Sequence, residues 1–150
     1  MTMEVTAIGD RWISWAPQLR DLLRIVSAFI FFQSGTMKWL AWPIGMPDGS
    51  TAELLTQTGV GGMLELVGGM LLMVGLFTRV TAFVLSGEMA VAYFQFHQPV
   101  ATWPMENGGI PAVLFCFLWL YLSAAGAGPW SVDAMRRRAA VRQSTAASRQ

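Results

Sequence analysis

Four ionisable side chains lie inside or at the edge of long apolar runs, and they are the residues best placed to do chemistry: Lys38, Glu65, Glu88 and His97. A charged group at the centre of a bilayer costs at least about 2.5–3.5 kcal/mol, so it is normally paired, protonated or functional. Lys38 is the natural partner of Glu65, whereas Glu88 has no evident basic partner in the apolar runs. We therefore expect Glu88 to be neutral much of the time, as a proton relay or ligand contact, or as a carboxyl group hydrogen-bonded between helices.

His97 is the only histidine of the chain. Without a second histidine or a cysteine nearby it is a weak signal for a metal, and we predict no bound metal or heme. The alternatives are a polar cap on a helix end or a group that binds a ligand and moves protons. Cys116 is the only cysteine, which excludes a disulfide within the chain and a Cys-x-x-Cys redox pair.

The apolar runs that must position these residues are long enough for membrane helices. At about 1.5 Å per residue each nearly matches or exceeds a hydrocarbon core of about 30 Å. The charged fraction is 13%, against about 25% in soluble domains. The sequence therefore predicts an all-α integral membrane four-helix bundle with these spans: Leu19–Leu40, Gly59–Phe77, Val80–Phe96 and Gly109–Ala125.

Local spacing predicts how the second span is oriented. Gly61, Glu65 and Gly69 recur every four residues and lie on one helix face. Because small residues allow helices to approach closely in lipid, Glu65 is expected to point into the bundle. Only Thr78 and Arg79 join the second and third spans, so these two should form an antiparallel hairpin.

Two further local predictions concern the loops. Ser50–Gln57 contains Ser50 followed three residues later by Glu53, a pattern that favours a short capped helix. Asn107 precedes the fourth span and is expected to cap it.

Basic residues indicate the topology. With four spans all of them except Lys38 fall on one side, and the positive-inside rule then puts both termini in the cytoplasm. Arg20, Asp21 and Arg24 are expected to mark a membrane edge. The arginines concerned are Arg11, Arg20, Arg24, Arg79, Arg136, Arg137, Arg138 and Arg142.

The same pattern divides the chain into an N-terminal interfacial segment (1–18), a membrane domain (19–134) and a basic C-terminal tail (135–150). We expect the end of the tail, 139–150, to be frayed or disordered, since it has little to bury. The net charge of +1 provides no electrostatic basis for nucleic-acid binding.

Several segments, in this order and spacing, together resemble the DoxX family over roughly residues 19–134. The closing segment is similar to the family's Gly-x-Gly-x-x-Ser-x-Asp ending. After Asn-Gly-Gly, family members often carry an acidic residue, whereas this chain has Ile110 and Pro111. The segments are Arg24–Val26, Ser34–Trp39, Gly61–Arg79, Glu88–Ala92, Asn107–Gly109 and Gly126–Asp133.

The resemblance implies a multi-pass protein of the cell inner membrane with four helices, and some members of the family are subunits of a thiosulfate:quinone oxidoreductase. We accordingly expect a membrane subunit of a quinone-linked oxidoreductase system, in which Glu65 and Glu88 are catalytic and Lys38 and His97 bind a quinone. No flavin, heme or iron–sulfur motif is present, so the electron donor would be another membrane or soluble redox subunit. The alternatives are a non-catalytic anchor, with the fourth helix as its interface, and a proton-coupled transporter formed by an oligomer.

Overall fold

The computed structural model describes residues 2–148, with side chains from Trp12 onward. All the regular secondary structure in this part of the chain is helical, and it contains no strand. The π-helical turn continues α3 directly. The elements are α1 (Thr2–Leu40), α2 (Gln57–Val74), α3 (Thr78–Ala92), the π turn (Tyr93–His97), α4 (Ile110–Ala125) and α5 (Val132–Ala147).

The ends of α2 follow from local residue chemistry. The Thr56 side chain accepts a hydrogen bond from the Gly59 N–H, which satisfies one of the free donors of the first turn. At the other end Gly75 adopts φ +70°, and the Leu76 N–H bonds back to the Leu71 carbonyl. This Schellman-type ending reverses the chain toward α3. The connection is short, as predicted, but it consists of Gly75–Phe77, and Thr78 and Arg79 lie in the first turn of α3.

The helices pack most closely in two pairs, α1 along α2 and α3 along α4. At Gly35 the backbones of α1 and α2 approach so closely that a Cβ there would lie 2.7 Å from the Leu66 nitrogen. In the other pair, the Ser86 hydroxyl donates to the Cys116 carbonyl at 2.9 Å. The α2–α3 hairpin connects the two pairs. The bundle therefore has a loop end, formed by residues 41–56 and 98–109, and an opposite α5 end.

An aromatic layer forms the centre of the core. The ring of Phe31 on α1 lies 5.2 Å from that of Phe115 and 5.4 Å from that of Trp119, both on α4. Trp119 is fully buried. This layer links the two helix pairs and separates the loop end of the interior from the α5 end.

The outer surface of the bundle is also apolar. Val67 on α2, Phe83 on α3 and Phe117 on α4 are each more than half exposed. By length and composition α2 alone, within the described residues, is long and apolar enough to cross a membrane, and α4 is a shorter apolar helix. An apolar core inside an apolar surface is the pattern of a protein that is solvated by lipid.

Two helices extend beyond their predicted limits. α1 begins at Thr2 rather than near Leu19, and it runs without a break from the predicted interfacial segment into the predicted span. Pro17 lies inside it, where the neighbouring side chains are exposed and solvent can satisfy the backbone group that proline leaves unpaired. The expectation of a frayed or disordered tail was wrong as far as Ala147, because α5 continues to that residue.

The two loop predictions were wrong. Residues 50–56 form no helix, because the Ser50 N–H and hydroxyl both donate to the Asp48 carboxylate and stabilise a turn instead. Asn107 does not cap α4 in the predicted way. Its side chain accepts from the Gly109 N–H two residues on, and Gly109 occupies the cap position.

Candidate functional site

A single cavity of about 490 Å³ near the loop end brings together all four ionisable residues singled out from the sequence. Side chains from α1, α2, α3, the π turn and α4 contribute to its walls, and most of the walls are apolar. Its lining residues are Ile30, Phe31, Ser34, Lys38, Gln57, Thr58, Gly61, Glu65, Glu88, Met89, Val91, Ala92, Phe96, His97, Pro111, Ala112 and Phe115.

Glu65 is held in place on one side of the cavity. Its carboxylate accepts from the Lys38 ammonium at 2.6 Å and from the Ser34 hydroxyl at 3.1 Å. The residue is only 3% exposed, which confirms that it points into the bundle and pairs with Lys38. Ser34 and Lys38 are one turn apart on α1, so a single helix face supplies both donors.

Glu88 lines the same cavity as this ion pair, and its carboxyl group is less constrained. Its Oε1 faces Gly61, where a Cβ would approach it to 3.3 Å. Its Oε2 is buried without a hydrogen-bond partner. A buried carboxyl oxygen with no partner is costly, so its presence in a cavity points to a ligand, a proton or water as its missing partner.

His97 stands at the loop-end margin of the cavity. Its Nδ1 lies 3.1 Å from the Asn107 carbonyl oxygen, and its ring stacks on Tyr93. Because a carbonyl can only accept, Nδ1 is the protonated nitrogen of this contact. In the neutral ring Nε2 is then an acceptor, and in the charged ring it is a donor.

Sequence reasoning missed the supports of this site rather than its ionisable groups. Asn107 fixes the loop beside His97 by donating to the Ala101 carbonyl while accepting from Gly109. The aromatic layer closes the cavity floor. The sequence singled out Asn107 only as an expected cap and as part of Asn-Gly-Gly. No local signal identified the aromatic layer, because its residues come from distant helices.

Sequence reasoning also did not reveal how many groups a second buried polar cluster brings together at the α5 end. Arg24 is fully buried, and its guanidinium donates to the carbonyls of Leu72, Met73 (2.8 Å) and Trp130 (2.8 Å) and to Asp21 (2.8 Å). The sequence placed Arg24 and Asp21 at a membrane edge. The structure uses them to hold the start of the α5 segment against the bundle.

Asp133 completes the attachment of α5. Its carboxylate accepts from the backbone N–H groups of Phe77 and Thr78 at 3.0 and 2.9 Å. Partial burial acts to raise the pKa of Asp133, but these backbone hydrogen bonds outweigh it and hold the pKa below its usual value of 3.8. Ser131 caps α5 by accepting from the Ala134 N–H.

Among the side chains that the structure describes, from Trp12 to Ser148, no three His, Cys, Asp or Glu residues are grouped as metal ligands would be. The cavity offers two acids, an ammonium group, a hydroxyl and an imidazole within mostly apolar walls. Such an arrangement can orient a small ligand that carries hydrogen-bonding oxygens and can exchange protons with it.

Comparison with known proteins shows which family the chain is similar to. The DoxX family model matches residues 19–98. An uncharacterized protein of Haemophilus influenzae is 43% identical over 122 residues, covering 79% of this chain and 91% of that protein. No solved structure matches the chain. The matched region includes the apolar helices α2 and α3 together with the Lys38–Glu65 pair and Glu88, and the chain belongs to the DoxX family of membrane proteins.

Proposed function

We propose that this protein is a multi-pass membrane subunit of a quinone-linked oxidoreductase system in the cell inner membrane. In this proposal α1 to α4 cross the bilayer and both termini are cytoplasmic. The observation that carries it is the cavity in which a fixed ion pair, an unpartnered carboxyl oxygen and an imidazole face one another. An electron donor in a partner subunit completes the system.

The cavity residues fit a quinone head group. The ring of a quinone is apolar and matches walls formed by Phe31, Met89 and Phe115. Its carbonyl oxygens need donors, and the Lys38 ammonium has protons beyond the one it gives to Glu65. The buried Glu88 Oε2 without a partner is the further polar atom that a ligand, a proton or water would satisfy.

The protein's own residues then divide the work. A bound quinone supplies the electron-accepting chemistry, and its reduction takes up protons. Glu65 is held by Lys38 and Ser34, so it orients the ammonium and the ligand. Glu88 is free to give up and regain a proton, because no hydrogen bond holds its Oε2 in one state. The neutral ring of His97 presents Nε2 as an acceptor, which suits the hydroxyl of a quinol.

The test is a matched set of glutamate substitutions in the native complex, isolated in mild detergent through a tag on this chain. Glu88→Gln should lower quinone-dependent turnover by about 10² or more, the usual contribution of a positioned acid or base. Glu65→Gln should lower it too. The control is Glu53→Gln, an exposed loop glutamate, which should have no effect. Recovery of the partner subunits should be equal in all variants.

Each alternative function has its own result. If Glu88→Gln and Glu65→Gln leave turnover unchanged while substitutions on the exposed face of α4 release the partner, the chain is an anchor. If vesicles that contain the purified protein conduct protons without any reductant, and Glu88→Gln stops the flux, the chain is a transporter. Either outcome would overturn the quinone proposal.

A further inference from the structure

Exposed residues of both α1 and α4 line the cavity, and the boundary between these two helices is named the seam. Ile30 on α1 lines the cavity and yet is 51% exposed on the outside of the bundle. Pro111 on α4 also lines the cavity and is exposed. α1 packs along α2, and α4 packs along α3. Across the seam, the ring of Phe31 on α1 contacts the rings of Phe115 and Trp119 on α4.

Ile30 lies among apolar side chains of α1, away from the polar end of the cavity. Ile30 precedes Lys38 by eight residues, or about 12 Å along the helix. Val26, one turn further on the same face, is 49% exposed and does not line the cavity. Ile30 and Val26 thus belong to the apolar outer surface that lipid covers.

We propose that the cavity takes its ligand from the bilayer through the α1–α4 seam, so that the ligand is a long-tailed quinone whose head occupies the cavity and whose tail leaves beside Ile30. The identity of the head group rests on the proposed function. The route of the tail rests on the geometry. A volume of about 490 Å³ suits a head group, since small-molecule sites span about 300–1,000 Å³, and a long hydrocarbon tail must then extend outside.

The first experiment compares two synthetic quinones that share one ring, one with a decyl tail and one without a tail, binding to the protein in lipid nanodiscs. Ile30→Trp should obstruct the seam and weaken binding of the decyl quinone about tenfold, or about 1.4 kcal/mol. That loss equals the burial of roughly two CH₂ groups. Because Ile30 also lines the cavity, the tail-free quinone reports any effect on the head-group site, and the decyl quinone should lose about tenfold relative to it. Val26→Trp, the matched control, should change neither. Equal weakening of both quinones, or of neither, would overturn the tail route.

A second readout tests the opening without any quinone. A nitroxide is attached at Ile30→Cys, Val26→Cys or Leu55→Cys in a Cys116→Ala background, with Leu55 as a loop position that is 94% exposed. Dissolved oxygen should relax the Ile30 label strongly, as it does at Val26, while a water-soluble nickel chelate relaxes only the Leu55 label. Relaxation of the Ile30 label by the chelate as strongly as at Leu55 would refute a lipid-facing opening. A lipid-facing label in a protein that binds neither quinone would preserve the opening and refute the quinone function.

Discussion

Replacing Arg24 with leucine should remove one of the main stabilising contacts at the α5 end of the molecule. The guanidinium is completely buried and donates to three backbone carbonyls and to Asp21. In Arg24→Leu the Asp21 carboxylate keeps the Trp130 N–H, at 2.9 Å, as its hydrogen-bond donor. The variant therefore leaves a buried charge without its counter-ion and three carbonyls without this donor.

The expected magnitude follows from these losses. Removing one partner of a buried ion pair costs about 3–5 kcal/mol. For a chain of this size each kcal/mol lowers the unfolding temperature by about 2–4 °C, so a decrease of about 6–20 °C is expected. Arg79→Leu is the matched control, because Arg79 also donates to backbone carbonyls, of Ser123 and Ala124, but is exposed. A hydrogen bond of that kind contributes only about 1 kcal/mol.

The single half-buried cysteine provides the assay. A thiol-reactive dye that fluoresces on modification of Cys116 reports thermal unfolding in detergent, and no further cysteine has to be introduced. The double variant Asp21→Leu/Arg24→Leu should be destabilised by less than the sum of the single variants, since the pair is removed together. The reasoning is wrong if Arg24→Leu lowers the unfolding temperature no more than Arg79→Leu, or if the two single effects simply add.

Two further predictions use the same thermal assay. Gly35→Ala should destabilise the protein by about 1–3 kcal/mol, because the new Cβ would collide with the α2 backbone. The control Gly87→Ala, whose Cβ would meet nothing within 4 Å, should stabilise the protein by up to about 1 kcal/mol. Equal effects of the two substitutions would contradict the close α1–α2 approach. The lowered pKa of Asp133 means that its carboxylate stabilises the fold above the usual value of 3.8 and that this stabilisation is lost as pH falls through the folded-state pKa. Between about pH 5 and pH 3 the unfolding temperature of the wild type should therefore fall more than that of Asp133→Asn, and parallel curves would refute this role.

Local spacing was enough to predict the face of α2. The four-residue recurrence of Gly61, Glu65 and Gly69 determines which way Glu65 points, because helix geometry alone relates these positions. The scarcity of basic groups in the apolar runs then left Lys38 as its partner, and the structure confirms that pair. The same runs located the cores of α1 to α4, since apolar length is a property of the sequence itself.

Helix limits that depend on polar residues were less predictable. Before Leu19 the apolar residues of α1 are interrupted by Glu4, Asp10 and Arg11, and α5 after Ala139 has Val141 as its one large apolar residue. Neither segment therefore forms a continuous apolar run. Turn chemistry around Ser50 and Asn107 was open to two local solutions, and the fold selected the side-chain-stabilised turn in both places.

What the sequence alone determined is that this chain forms apolar helices and that Glu65 faces their interior. Only the tertiary structure decided that Glu88 and His97 share a cavity with the Lys38–Glu65 pair, because the rotation and register between helices depend on contacts such as that of Gly35 with α2. The burial of Arg24 depended on the fold for the same reason. Its three backbone acceptors lie 48 to 106 residues away along the chain, and no local pattern relates groups so far apart.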